Sequence, residues 1–203
     1  PEPEILPRPE IDRLLPEGAA HQGLLLSAEA LTPPSLAESC SLAGPGGRPI
    51  ALVLDQITDP RNVGAILRSA AAFGARAVIT TKRHAPPPLG ALAKAASGAL
   101  EVVPYLRLSN LARALDELAE LGYWRLGLEA DAPVTLAAAA TPASTDPVAL
   151  VLGAEGSGLR RLSAEHCDAL VRLPISPEGP GGMPSLNVSN AAAVALYQLS
   201  LDI

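Results

Sequence analysis

The alternation of apolar runs and helically spaced apolar positions carries most of the information in this chain. Ile50–Leu54 is an uninterrupted apolar run closed by Asp55, the pattern of a strand buried on both faces. Val63, Ile66, Leu67, Ala70 and Phe73 follow at helical spacing with Gly74 as a stop, which predicts a helix over 62–73. The same reading continues with a strand over 77–79, an Ala-rich helix over 89–97, a strand over 101–104 and a helix over 110–121 ended by Gly122. A strand over 124–128 and another over 147–152 follow, the second running into Gly153-Ala154-Glu155-Gly156-Ser157-Gly158. A short helix over 159–166, a strand over 169–173 and a final helix over 185–201 complete the series. Strands separated by helices predict an α/β fold, a parallel sheet flanked by helices on both faces. Trp124 on its strand reads as core. Residues 130–147, small and polar, read as a connector.

The first 49 residues look different. Pro1, Pro3, Pro7, Pro9 and Pro16 stand among charges, and a short Leu run, Pro33-Pro34 and a Gly-rich stretch follow. Residues 1–49 therefore read as linker, and 50–203 as one compact domain.

Composition narrows the function. With 48% hydrophobic and 18% charged residues among 203, the chain is a folded globular one. Five aromatics (Phe73, Tyr105, Tyr123, Trp124 and Tyr197) are too few for a base-stacking platform. A net charge of -6 argues against a chain that works alone on naked nucleic acid. No apolar run reaches membrane-spanning length, no charged-then-apolar leader opens the chain, and Cys40 and Cys167 stand far apart. Reduced thiols in the cytosol are the expectation.

Three polar clusters fall where the predicted strands end, the place at which open α/β sheets take ligands. The first runs from Asp55 to Arg68 and contains Asn62, Gly64 and Arg68; a helix N-cap and a solvated arginine would also account for it. The second is the glycine-rich turn, in which Glu155 replaces the middle glycine of a dinucleotide fingerprint. A carboxylate there repels a pyrophosphate, which counts against a nicotinamide-dependent oxidoreductase, and no GK[ST] follows. The third is Ser185-Leu186-Asn187-Val188-Ser189-Asn190. Ser185 could serve as an N-cap, but Asn187, Ser189 and Asn190 are costly in a buried helix unless they bond something.

Together the clusters resemble the three motifs of the SpoU/TrmH branch of the SPOUT methyltransferases. Asn62, Gly64 and Arg68 stand as NxGxxxR, Leu152–Gly158 as the second motif, and Leu173-Pro174-Ile175 with Ser185–Ser189 as the third. The resemblance covers 50–203. It implies an S-adenosylmethionine-dependent methyl transfer to an RNA ribose 2′-hydroxyl, with ribosomal RNA favoured over transfer RNA as the structured partner. A non-catalytic RNA-binding protein that keeps the fold is the rival reading. By the family's pattern Arg68 activates the hydroxyl, while Asn62, Glu155, Ser185 and Asn187 orient it, with Glu155 expected to pair with Arg68. The cofactor is expected against the main chain near Gly127, Leu152, Gly153, Leu173, Ile175, Ser185 and Leu186.

The resemblance further implies a deep C-terminal trefoil knot, a homodimer and a cytoplasmic location, with neither a metal nor a membrane involved. Leu14, Gly18 and His21-Gln22-Gly23 resemble the linker that follows a small N-terminal RNA-recognition domain in family members, so such a domain is expected to be missing from this chain. Arg61, Arg68, Arg76, Lys82, Arg83, Lys94, Arg160 and Arg161 are the candidate basic patch. His84 reads as a surface residue, His166-Cys167 lacks the second pair that a zinc site needs, and Cys167 reads as half-buried core. The stretch 176–182 looks long for the family and borders the presumed cofactor pocket.

Overall fold

The computed structural model describes residues 2–42, 47–140, 146–176 and 185–201, and it divides into two units, Pro1–Thr32 and Pro33–Ile203. In the first unit the proline-rich stretch forms a short helix, α1 (Arg8–Leu14), with Pro9 in its first turn and Ile11 on its buried side. Proline suits that position because its missing N–H has no partner there in any helix. The His21 ring nitrogen lies 3.0 Å from the Asp12 carboxylate.

The second unit begins well before residue 50. Ser35 caps α2 (Leu36–Ser39) in a reciprocal box with Glu38. Leu36 and Cys40 are buried against residues of the main domain, so 33–42 packs with the domain rather than with the linker assigned on sequence.

Seven parallel strands form one sheet: β1 (Ile50–Leu54), β2 (Ala77–Thr81), β3 (Tyr105–Leu108), β4 (Trp124–Leu128), β5 (Val134–Thr135), β6 (Val148–Leu152) and β7 (Ala169–Arg172). Their spatial order is β3-β2-β1-β6-β4-β7-β5. The continuous apolar run of β1 has a direct cause. Ile50, Leu52 and Leu54 point into one core with α3 (Pro60–Ala72) and α8 (Val188–Ser200). Ala51 and Val53 point into a second core with α5 (Leu111–Glu120). Both faces of the sheet are therefore covered, as parallel sheets require.

The chain moves outward from β1 to β3 and then returns to the far side of β1. This places a topological switch beside β1 and β6, and a crevice at their carboxyl ends. Leu54 is level with Leu152, Leu152 with Leu128, and Leu128 with Val171, so the chain leaves four neighbouring strands at one height.

Four sequence expectations shift. The strand placed at 101–104 is a 3-10 turn (Ala99–Glu101), with β3 starting after Pro104. Pro104 has no N–H to donate to a ladder, while its carbonyl accepts from Val78 at 2.9 Å. Trp124 is 49% exposed and not core, because it opens β4 at the amino edge, while neighbouring Tyr123 takes the buried position. The connector contains β5 and α6 (Leu136–Ala139), capped by Thr135 and anchored by buried Leu136. The last helix begins at Val188, not 185. The remaining helices are α4 (Gly90–Ala96) and α7 (Arg161–Glu165).

Candidate active site

The three motif segments meet at the carboxyl edge of β1, β6 and β7. Asp59, not Asn62, caps α3: its carboxylate accepts from the Arg61 N–H at 2.8 Å, and Pro60 opens the helix. Asn62 is thereby free in the first turn, facing the glycine-rich turn. That turn follows β6 and closes on itself, with the Gly158 N–H donating to the Ala154 carbonyl at 3.0 Å. Any Cβ at Gly153 would overlap the backbone of Gly158 and Leu159, so the tight closure demands glycine there.

Asn187 is the N-cap of α8. Its Oδ1 accepts from the Ser189 N–H at 2.9 Å and from the Ser189 hydroxyl at 2.5 Å. Its Nδ2 then points outward, donating to Glu155 Oε1 at 2.6 Å and to Asn62 Oδ1 at 3.1 Å. Asn62 Nδ2 donates to the same Glu155 oxygen at 3.3 Å, and so does the Val188 N–H at 3.2 Å. One carboxylate oxygen thus ties together three segments remote in sequence. A charged acceptor shared by several donors is stronger than a neutral one would be.

Two assigned partners are not in this cluster. Arg68 is exposed, and it makes no ion pair with Glu155 or any other described residue, contrary to the pairing expected from the motifs. Six residues along α3 is a rise of about 9 Å and a rotation of about 120° away from Asn62, so the helix face that meets Glu155 cannot also carry Arg68. Ser185 lies exposed outside α8 and bonds no described residue; Asn187 has taken the capping role available to it.

Among the positions assigned to a cofactor, Leu152 and Gly153 end β6, and Leu173 and Ile175 follow β7. Ile175 and Leu186 are each 39% exposed, and their main-chain groups bond no described residue. Apolar side chains beside open main-chain donors and acceptors fit an adenosyl group. Gly127 has a packing explanation: a Cβ there would meet Leu170 at 2.7 Å, Leu159 at 2.8 Å and Cys167 at 3.0 Å. Most of the 176–182 loop lies outside the described residues.

Sequence reasoning missed two carboxylates at the same edge. Asp55, buried at the end of β1, accepts from the Arg160 N–H at 3.0 Å and from Arg160 Nε at 2.6 Å. Glu129, just after β4, accepts from the Leu159 N–H at 2.9 Å. Their only sequence signal is an acidic residue directly after an apolar strand.

Elsewhere, burial pushes the Cys167 thiol up to about 12, which suits packing and not nucleophilic chemistry. Arg160 is committed to Asp55 and Arg161 to Glu165, leaving Arg61, Arg68, Lys82 and Arg83 as exposed cations of the proposed patch. An open cleft of about 370 Å³, lined by Tyr123, Trp124, Arg125, Asp146 and Asp168, lies at the amino edge, the opposite end of the strands. Among the described residues no group of three His, Cys, Asp or Glu could hold a metal, and no helix is long and apolar enough to cross a membrane.

Fold and site together define an open α/β protein whose polar cluster lies at the carboxyl edge of a doubly wound parallel sheet. The chain belongs to the SpoU rRNA Methylase family, whose model matches residues 49–197. It is 47% identical over 180 residues to the 23S rRNA (guanosine-2′-O-)-methyltransferase RlmB of Ralstonia nicotianae, covering 88% of this chain and 68% of that protein. It is 46% identical over 152 residues to the RlmB of Pseudomonas syringae, covering 75% of this chain and 58% of that protein. Among solved structures, a putative RNA methyltransferase of the TrmH family from Porphyromonas gingivalis is 32% identical with a TM-score of 0.66, over 77% of this chain and 61% of that one. The SpoU methyltransferase AviRb from Streptomyces viridochromogenes, in complex with the cofactor AdoMet, is 25% identical with a TM-score of 0.64, over 77% and 58%.

Proposed function

We propose that this protein transfers the methyl group of S-adenosylmethionine to the ribose 2′-hydroxyl of a guanosine in 23S ribosomal RNA. The observation that carries the reading is the convergence of Asn62, Asn187 and the Val188 N–H on one Glu155 oxygen, with Arg68 on the same helix as Asn62 exposed and paired with no described residue. S-adenosylmethionine, when bound, supplies a methyl group on a positively charged sulfur.

The chain's own part is positioning and electrostatics. Main-chain groups near Gly153, Leu173, Ile175 and Leu186 would hold the adenosyl and methionyl parts, with Ile175 and Leu186 excluding water. The Arg68 guanidinium, a permanent cation with a planar fork, binds the 2′-oxygen and a neighbouring phosphate. It would stabilise negative charge developing on that oxygen as the hydroxyl proton passes to solvent. Exposed Arg61, Lys82 and Arg83 extend the cationic surface toward RNA phosphates, which lets an acidic chain hold an acidic partner.

The same reading includes a deep C-terminal trefoil knot, a cytoplasmic location, and a homodimer. Exposed Val194, Tyr197 and Leu201 on and after α8 support the dimer.

The test is tritiated methyl transfer by the full chain to ribosomal RNA from a strain lacking its own homologous enzyme. Arg68→Ala and Arg68→Lys should each lower the rate by on the order of 100-fold while calorimetric S-adenosylmethionine binding persists. Full turnover by Arg68→Ala refutes the assigned role. Methyl incorporation into transfer RNA alone refutes the ribosomal substrate.

A further inference from the structure

Glu155 must be held still if it is to bind two amides and a helix N–H through one oxygen. Its own turn is rich in glycine, which makes that turn intrinsically loose. The turn follows β6, and β6 lies between β1 and β4 in the sheet. From the β1 side, Asp55 accepts from the Arg160 N–H and Nε; from the β4 side, Glu129 accepts from the Leu159 N–H. Two consecutive backbone N–H groups at the base of the turn are thus gripped by carboxylates from the two flanking strands. The Asp55 side chain is wholly buried, so its charge is expensive unless fully used, and Arg160 meets it with two donors. Gly158 completes the grip. Its φ is +64°, and a Cβ there would meet a Glu129 carboxylate oxygen at 3.0 Å.

We propose that Asp55 and Glu129 are positioning residues, a two-sided clamp that fixes the turn so that Glu155 reaches Asn62 and Asn187. The role in catalysis rests on the methyltransferase reading above; the clamp itself does not. Neither residue touches substrate. Each acts through the turn that carries Glu155, so its loss should appear chiefly in kcat, with a smaller effect on cofactor affinity because Gly153 opens the same turn.

The experiment uses the full chain with Asp55→Asn, Glu129→Ala, Glu129→Gln and Glu155→Ala, together with double variants in the Glu155→Ala background. Each variant is first checked by circular dichroism and thermal melting. Amide exchange followed by mass spectrometry reads the segment 153–160 directly. Asp55→Asn and Glu129→Ala should speed exchange there and leave α3 and α5 unchanged. In the methyl-transfer assay both should lower kcat by roughly 10- to 100-fold, with the KM for S-adenosylmethionine within about threefold. Glu129→Gln keeps an acceptor oxygen for Leu159 and should recover most of what Glu129→Ala loses. In the Glu155→Ala background either clamp variant should cost less than about twofold more, because both routes end at the same carboxylate. Should Asp55→Asn fail to fold, Glu129→Ala and its glutamine rescue carry the test.

Unchanged exchange at 153–160 in folded variants overturns the clamp. So does full activity of Glu129→Ala beside an inactive Glu155→Ala, or a full multiplicative loss in the double variants. Faster exchange in both clamp variants, with a fully active Glu155→Ala, supports the clamp and instead overturns the catalytic reading of Glu155.

Discussion

Gly64 is the middle residue of the first motif, and its replacement by alanine sets two effects of opposite sign against each other. In an ordinary exposed helix, glycine to alanine stabilises by about 0.5–1 kcal/mol, because the unfolded chain loses freedom it would otherwise regain. Here the new methyl would be driven into α4. Beyond the Ala95 methyl, its nearest neighbours would be the Ala96 nitrogen at 2.9 Å and the Ala95 carbonyl carbon at 3.0 Å. Backbone atoms cannot swing aside as a side chain can, so all of α4 must shift. Overpacking of this kind costs about 1–3 kcal/mol. Contacts at or below 3.0 Å put this site in the upper half of that range, so the clash outweighs the propensity gain and leaves a net loss of about 1–2.5 kcal/mol, or a fall in Tm of about 2–10 °C for a chain of this size. Urea unfolding followed by circular dichroism measures it. Removing the facing methyl with Ala95→Gly should recover only part of the loss, because the two backbone contacts remain. A Gly64→Ala protein as stable as its parent, or more so, refutes the packing argument. The motif glycine would then have to be explained by the ligand.

Two further outcomes follow from side-chain environments. Burial pushes the thiols of Cys40 and Cys167 up to about 12, so neither should react with iodoacetamide at pH 8 in the folded protein, while both should react in urea; fast labelling of the native protein contradicts this. The hydrogen bond from the Arg125 side chain holds the Asp168 carboxyl below the ordinary aspartate range. Its folded pKa is depressed, so the stability it adds is present above about pH 4 and is lost as pH falls further. Asp168→Asn should therefore cost less than about 1 kcal/mol at pH 7, as partly exposed pairs do, and the gap should narrow as pH falls below about 4 in urea titrations. A gap that persists in acid rules out the ion pair as its cause.

Much of the architecture was legible because the long elements announce themselves. Five apolar residues in a row gave β1, and both cores show why neither face of that strand tolerates a polar residue. The failures share a cause: sequence pattern is weak wherever one residue or a short contact decides. Pro104 displaced β3 by removing a ladder donor, and β5 has two residues, too few to show a period. Trp124 reads as core because it is large and sits in a strand, yet the pattern does not say where the sheet's edge falls. At the site, motif spacing correctly gathered Asn62, Glu155 and Asn187. It did not reveal that Asn187 caps α8, which leaves Ser185 outside, nor that Glu129 reaches across to a different loop.

The expected Glu155–Arg68 pair is the instructive miss. A carboxylate and an arginine in neighbouring motifs invite pairing, but pairing would consume both charges. Glu155 is compensated without a cation: two carboxamides and the first N–H of α8 share one of its oxygens. A carboxylate at that end also faces the positive pole of a 13-residue helix. Neutral donors and a helix dipole thus balance the negative charge, and the Arg68 guanidinium pairs with no described residue. For a reaction in which an oxygen gains negative character beside RNA phosphates, an unpaired arginine is worth more than one already neutralised, because its fork meets the anion with no ion pair to break first. The carboxylate and the exposed cation are therefore separated by the geometry of the helix: six residues along α3 puts Asn62 on the Glu155 side and Arg68 beyond its reach.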